Sequence, residues 1–453
     1  MTFVVLAMAI LAVFPLSLIL KSGDQFTGLF WTVFGALPFL ANVLPAFDIG
    51  IISWAGEWVG FVYGLEVTVV DFFAVAALLS FSGQRGPVPL WCKLPVLIYI
   101  GAAALSMFQA VHPLAAFFGV WQFMRMFIVM IAVTLLCIET NRSMHILTGM
   151  ALGMGCHLLA VLYQRYGLGL TQAHGLFIHQ NTLGMAAHVV LFPFLALLLH
   201  AFPGLRKQLF ATLGTLLVVL FTASRAAVGL SAFGVMTLYA VLALAGLTGR
   251  KMLFATLAVA GLALIAPIAI SAFDNRFEAA PLREAEYDER AAFNQAATLI
   301  LEDHPWGIGV NHYVKVARDE GYSERAGVAA AAGNRRNIVH NAYLMVAAES
   351  GYLGLVAFCV MLAVPLVTAL SMGWRFRAMA EGSLLTGLGV TLLMIYLHSF
   401  FEWVLFAKEV QYLLFMTMGM IFGVTLRLRS MAHRASTNSL AFSVLRSPMQ
   451  MPR

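Results

Sequence analysis

NTLGMAAHVVLFPFLALLLHAF, residues 181–202, contains no Lys, Arg, Asp or Glu. Such a run is long enough to be a membrane span, because roughly 20 apolar residues of helix cross the hydrocarbon while satisfying their own backbone hydrogen bonds. The rest of the chain repeats the pattern. Of 453 residues, 61% are hydrophobic and 11% charged, against about 25% charged in ordinary soluble domains. That balance excludes a soluble globular protein. It predicts an all-α polytopic membrane protein of about 12–13 spans.

Outward from 181–202, comparable runs fall near 2–20, 28–47, 66–82, 94–111, 118–138, 144–162, 209–223, 226–247, 252–272, 342–371, 383–401 and 409–426. The expected organisation is about ten spans over 1–272, one large loop over 273–340, about three spans over 341–426 and a cytoplasmic tail over 427–453. Residues 274–336 hold 8 of the 27 basic and 11 of the 21 acidic residues, so a single polar loop interrupts the apolar chain. Basic residues mark every second short connector: Arg85/Lys93, Arg142, Arg206/Lys207, Arg250/Lys251, Arg375/Arg377 and the tail Arg427/Arg429/Arg434. Lys and Arg near span ends stay on the cytoplasmic side. The large loop, the turn at Arg225 and the segments 48–65 and 163–180 are therefore expected outside. A hairpin over 2–47, or a dip at 48–65, would each change the side of the amino terminus. The first twenty residues lack a basic leader and a small-residue cleavage site, so they read as a retained span. Cys92, Cys137, Cys156 and Cys359 lie in or beside apolar runs without paired spacing and read as packing residues.

The polar residues of the outer turns carry the chemistry. In FTASRAAVGL at 221–230, Arg225 sits between two apolar runs, where a guanidinium needs a water-filled cavity or an anionic partner. Its alternative is a snorkelling interfacial arginine, a role better suited to a cytoplasmic turn. The loop opens with the acidic REAEYDER at 283–290. RAAFNQAATLILEDHPWGIG at 290–309 then predicts an amphipathic helix led by Arg290, with Phe293, Ala297, Ile300 and Leu301 on its apolar face, stopped by Pro305 and the glycines Gly307 and Gly309. Taken alone, Arg290 has an obvious local partner in Glu286 or Glu289. At 337–358, His340 and Asn341 stand at a helix start, where exposed N–H groups favour an anion and an imidazole can take a proton. Simple helix capping is the alternative for either. Glu349 is out of phase with His340 on a continuous helix and reads, before Gly351 and Gly354, as a buried carboxylate needing a partner. HGLFIHQNTLG at 174–184 adds His174, His179, Gln180 and Asn181 at a further outer span start, and Arg125 in WQFMRMF lies near the same face. No HExxH or outer DxD metal motif accompanies them, so arginines would take the charge-neutralising part of a metal. Cations, imidazoles and amides gathered on one side of a membrane suit a lipid-borne phosphate.

SRAAVGL at 224–230, the Arg290-led helix with its Pro-x-x-Gly-x-Gly-like PWGIG end, and HNAYLMVAAESGYLGL at 340–355 occur in that order. The set resembles the O-antigen ligase and polymerase superfamily. HGLFIHQNTLG also looks like that family's Gly-x-Phe-x-His-x-Asn-x-Leu-Gly segment, with Gln180 where proline is frequent. The resemblance spans roughly residues 170–425, while residues 1–110 match only as hydrophobic pattern. It implies a GT-C-like membrane glycosyltransferase that moves a glycan from undecaprenyl diphosphate to an acceptor hydroxyl at the periplasmic face of the bacterial inner membrane, inverting, with neither metal nor cofactor. It carries over catalytic roles to Arg225, Arg290 and His340, with Asn341, His179, Asn181, Arg125 and Tyr343 as candidate substrate-binding positions. The acceptor would be lipid A core for a ligase, a second lipid-linked glycan for a polymerase, or a side-chain hydroxyl for a protein O-oligosaccharyltransferase. A non-enzymatic transporter of lipid-linked glycan is the rival class; it predicts polar residues spread across the bilayer midplane.

Overall fold

The computed structural model describes residues 2–22, 26–43, 49–81, 86–139, 142–261, 289–330 and 334–445. The chain begins with α1 (Thr2–Ser22) and α2 (Phe26–Ala36); a short antiparallel hairpin of β1 (Ile49–Ser53) and β2 (Gly64–Val67) then leads into α3 (Val69–Phe81). Next come α4 (Leu90–Ser106), α5 (Pro113–Cys137), α6 (Arg142–Leu162), α7 (Gln180–Leu199), α8 (Leu205–Thr222), α9 (Arg225–Leu244) and a helix over 249–261, α10. The large loop contributes α11 (Glu289–Asp303), α12 (Tyr313–Asp319) and α13 (Tyr322–Arg325), before α14 (Ala342–Arg375), α15 (Ala380–His398) and α16 (Lys408–Leu445).

Among the described residues, nine helices are long and apolar enough to cross a membrane: α4 to α9 and α14 to α16. The chain is an all-helical polytopic membrane protein, as the apolar runs predict. The three spans expected before residue 83 appear as shorter apolar helices, Leu6–Lys21, Phe26–Leu40 and Val69–Phe81. Part of the span expected at 252–272 and most of the acidic REAEYDER segment lie outside the described residues, as do the end of the Ala-rich AGVAAAAG run at 326–333 and the last eight residues of the tail.

The opening stretch explains itself in the packing. Every residue of α7 from Thr182 to Leu199 is buried, with α6, α8, α9, α15 and α16 around it. A helix enclosed on all sides needs no polar face, hence its uniform hydrophobicity. Elsewhere small residues set the contact: Gly419 and Gly423 of α16 bring its backbone onto Met130 and Thr134 of α5, close enough that a Cβ would strike their carbonyl oxygens at 2.7 and 2.5 Å. This is the small-xxx-small spacing that lets membrane helices approach closely.

Beside that contact, Arg125 of α5 is 2% exposed. It does not face a substrate cleft. Its guanidinium donates to Asp71 Oδ2 of α3 at 2.9 Å and to Tyr412 Oη of α16 at 3.0 Å. Tyr412 donates in turn to Asp71 Oδ1, and the Thr68 backbone N–H also bonds this carboxylate. The buried charge is paired and hydrogen-bonded, the condition for tolerating it at such depth, and the network ties three helices together.

The large loop is fastened first by backbone hydrogen bonds. At Gly351 the φ of 68° and ψ of −171° break α14. The break releases groups that an unbroken helix would pair internally, and PWGIG at 305–309 takes them up: Ile308 N–H donates to Ala348 O at 3.2 Å, Gly309 N–H to Glu349 O at 2.8 Å, and Tyr352 N–H to Pro305 O at 3.1 Å. Both sides need glycine, because a Cβ on Gly307 would lie 2.4 Å from Glu349 O and one on Gly351 2.4 Å from Pro305 O. The Glu349 carboxylate, left without a role by the sequence, accepts the Tyr313 N–H at 3.0 Å. It holds the start of α12.

A second anchor follows directly. Asn311, fully buried, donates to Val62 O and Ala115 O at 2.7 and 3.0 Å and accepts the Val62 N–H at 3.0 Å. His312 beside it accepts the His112 N–H at Nε2, 3.1 Å, with Nδ1 on Val310 O, 2.9 Å. That arrangement requires a neutral ring. Burial pushes its pKa down to about 4, against the Val310 hydrogen bond and with help from His112 and Lys315.

Two outcomes are expected. Gly351→Ala places a side chain where φ favours glycine and where Pro305 O already sits; it should cost about 1–3 kcal/mol, seen as a lower melting temperature of the purified membrane protein. Gly229→Ala, inside α9 with nothing within 4 Å of its Cβ, should not lower it, because alanine favours helix over glycine. An unfolded histidine titrates near 6.5 and His312 near 4, so unfolding takes up a proton between those values. The melting temperature should fall as pH drops from about 6.5 toward 4, and His312→Gln should flatten that slope.

Candidate functional site

At one end of the bundle, the start of α7, the start of α11, the residue before the α14 cap and the α15–α16 turn converge on one carboxylate. Glu402, in FFEWVLF at 400–406, has a side chain only 2% exposed. Its Oε1 accepts from Arg290 Nη2 at 3.0 Å and from Asn181 Nδ2 at 2.5 Å. Its Oε2 meets His340 Nδ1 at 3.1 Å. Three of the residues singled out in the sequence thus share a ligand that the sequence reading missed. Arg290, which read alone has a local partner in Glu286 or Glu289, thus also has a long-range one in Glu402; Glu286 lies outside the described residues.

Local structure aims each group. Phe293, Ala296, Ala297 and Ile300 bury one face of α11, which packs on α14. Its first turn stays at the rim, leaving the Arg290 side chain 55% exposed. Asn341 caps α14, its Oδ1 accepting from the Tyr343 and Leu344 N–H groups at 3.0 and 3.1 Å. That cap leaves His340 just outside the helix, where its side chain is 25% exposed and its ring lies 6.2 Å from Phe293. His179 caps α7 through Nδ1 and the Asn181 N–H at 3.2 Å. Tyr343 faces away from the carboxylate: its Oη donates to Tyr396 O at 3.0 Å and its ring lies 4.4 Å from that of Phe400. Asn341 therefore caps α14, and Tyr343 fixes α14 against α15.

Arg225 is the first residue of α9, after Ala223 in left-handed conformation and the Ser224 cap, whose Oγ accepts the Ala227 N–H at 3.3 Å. It is exposed. Among the described residues its side chain has no hydrogen bond or ion pair, and none ties it to Glu402. What brings it to the same end is packing: a Cβ on Gly184 of α7 would lie 2.4 Å from the Ala227 Cβ, so the first turns of α7 and α9 sit side by side. The Ala173 N–H donates to Phe221 O at 3.1 Å and joins the HGLFIHQ loop to the end of α8.

Glu402 left a faint signal in the sequence, as the lone charge in an apolar turn. Its hydrogen-bonded partners lie 62, 112 and 221 residues away, beyond any local pattern. A carboxylate at His340 Nδ1 fixes the tautomer when that nitrogen carries the proton, leaving Nε2 basic. A neighbouring arginine and an exposed helix start supply cationic character.

The fold and the site define a polytopic membrane protein with a cation and imidazole centre held at one end of its helices. Residues 210–359 match the O-antigen ligase family model, a segment that contains Arg225, Arg290 and His340. The match supports the O-antigen ligase superfamily and, with it, a ligase- or glycosyltransferase-type membrane enzyme. No curated protein matches the chain.

Proposed function

We propose that this protein transfers a glycan from undecaprenyl diphosphate to an acceptor hydroxyl at the periplasmic face of the inner membrane, as an O-antigen ligase or repeat-unit polymerase. The observation that supports this most is the Glu402 carboxylate, which binds His340 and Arg290 at once. With Nδ1–H donated to Glu402, His340 presents Nε2 as general base toward the acceptor. The acceptor oxygen attacks the anomeric carbon as its proton passes to Nε2. The bond from that carbon to the diphosphate breaks on the opposite face, inverting configuration. Undecaprenyl diphosphate departs with one more negative charge, which Arg225 and Arg290 stabilise. No metal enters this scheme. Asn181 acts through Glu402, and His179 through the first turn of α7.

Reconstitution with a defined undecaprenyl-diphosphate glycan and separate candidate acceptors tests the reading and identifies the acceptor. His340→Ala should lower turnover by about 10²–10⁴-fold, and Arg225→Ala or Arg290→Ala should abolish detectable transfer with the protein still folded. Glu402→Gln should lose less than His340→Ala. Wild-type rates from either arginine variant would sink the assignment. The orientation has its own check: Glu324, whose side chain is 75% exposed, replaced by Cys in a background without the four native cysteines. Glu324→Cys should react with a membrane-impermeant maleimide added outside intact inner membranes, and labelling only from the cytoplasmic side would overturn it.

A further inference from the structure

On the loop face, apart from the Glu402 cluster, lies a cleft of about 240 Å³ between residues 54–59 and α12, lined by Trp54, Glu57, Trp58, His112, Lys315 and Arg318. Its back wall is a fixed aromatic step. The Trp58 ring is buried and sits edge-on between His112 at 5.5 Å and His312 at 4.9 Å. Trp54 leans on it at 6.0 Å and meets Phe118 edge-on at 5.2 Å, while remaining half-exposed. An indole so held gives contact area at little entropic cost.

The front wall is polar but not cationic in sum. Lys315 and Arg318 both bond Asp319, at 2.8 and 2.6 Å, and Glu57 stands exposed opposite. Two positive and two negative side chains leave no field that would draw a phosphate. This sets the cleft apart from the Arg225 and Arg290 rim. An aromatic platform facing fixed donors and acceptors instead matches a ring with an apolar C–H face and a hydroxylated edge. The volume is below the roughly 300–1,000 Å³ of sites that engulf a drug-sized ligand, which suits one sugar ring of a chain continuing into solvent.

We propose that this cleft is a glycan subsite, taking a neutral sugar ring of the donor or the acceptor against Trp54. The proposal rests on the transferase reading above. Tyr313 makes the connection physical: its N–H is held by Glu349, and its Oη donates to Phe293 O of α11 at 3.1 Å. The helix carrying Lys315 and Arg318 is thereby fixed to the one carrying Arg290. A glycan reacting at one has a rigid rail at the other.

The test uses the full chain in nanodiscs free of glycosidic detergent. Lipid-free oligosaccharides released from the donor and from the acceptor are titrated separately by tryptophan fluorescence, and transfer is followed with each substrate varied in turn. Trp54→Ala should raise KM for one substrate by about tenfold with kcat retained and abolish the fluorescence response, and Trp54→Phe should restore much of the affinity. The substrate whose KM moves names the source of the ring. Arg318→Gln, at a half-buried position, should weaken the same substrate if Trp54→Ala proves unstable. Saturable oligosaccharide binding lost in the variants, without any transfer by the wild type, would keep the cleft and defeat the transferase reading. Transfer with both KM values unchanged in Trp54→Ala and Arg318→Gln, and no oligosaccharide response, would overturn the cleft alone.

Discussion

The broken turn of α14 at Gly351 is what the loop face depends on. A continuous helix would spend the Ala348 and Glu349 carbonyls and the Tyr352 N–H on itself; the break hands them to Pro305, Ile308 and Gly309. The exchange occurs about 10 Å along the helix from its first residue, where irregular backbone is tolerated only if protein surrounds it. Three backbone bonds thus draw the end of α11 into the bundle. Arg290, at the other end of that helix, inherits its place from the hook. Glu349 then extends the same fastening into α12 through Tyr313, and Asn311 carries it on to residue 62 and the start of α5.

How far this was legible depends on the range of each constraint. From α4 onward the spans could be read, because an apolar run of bilayer length has essentially one use, and α7 advertises its burial by lacking any polar face. The first three were harder. Apolar runs at 28–47 and 66–82 look like spans, yet α2 stops at Ala36 and α3 starts only after a hairpin, and hydropathy does not register turns that fold apolar chain back on itself. The apolar positions of α11 were read correctly since helical spacing is local. Arg290 and His340 stood out because each stands where a helix-forming segment begins. Glu402 did not: nothing in an isolated Phe-Phe-Glu-Trp separates a hub from an interfacial carboxylate. Arg125 shows the converse, for its partner Asp71 lies 54 residues away, and an arginine whose acid is out of sight looks like one awaiting a ligand.

Two of the buried carboxylates, Asp71 and Glu402, are used differently. Asp71 is saturated by Arg125, Tyr412 and Thr68 inside the bundle, so it binds helices together and offers nothing to a ligand. Glu402 is equally enclosed, but its partners Arg290 and His340 reach the surface with 55% and 25% of their side chains exposed. A buried anion beneath partly exposed hydrogen-bond donors is an arrangement for orienting them.

On the proposed assignment, charge bookkeeping explains why a carboxylate belongs in a site for a diphosphate. With His340 neutral, Arg225, Arg290 and Glu402 sum to one positive charge, modest enough for a site at the membrane edge with no substrate bound. Proton transfer to Nε2 makes His340 a cation already in contact with Glu402, and the site then sums to two positive charges at the moment the leaving diphosphate gains a negative one. The stabilisation grows along the reaction and is small before it, as differential binding of the transition state requires. Glutamine in place of Glu402 would keep the shape and lose that coupling, because an amide stabilises imidazolium far less than a carboxylate does.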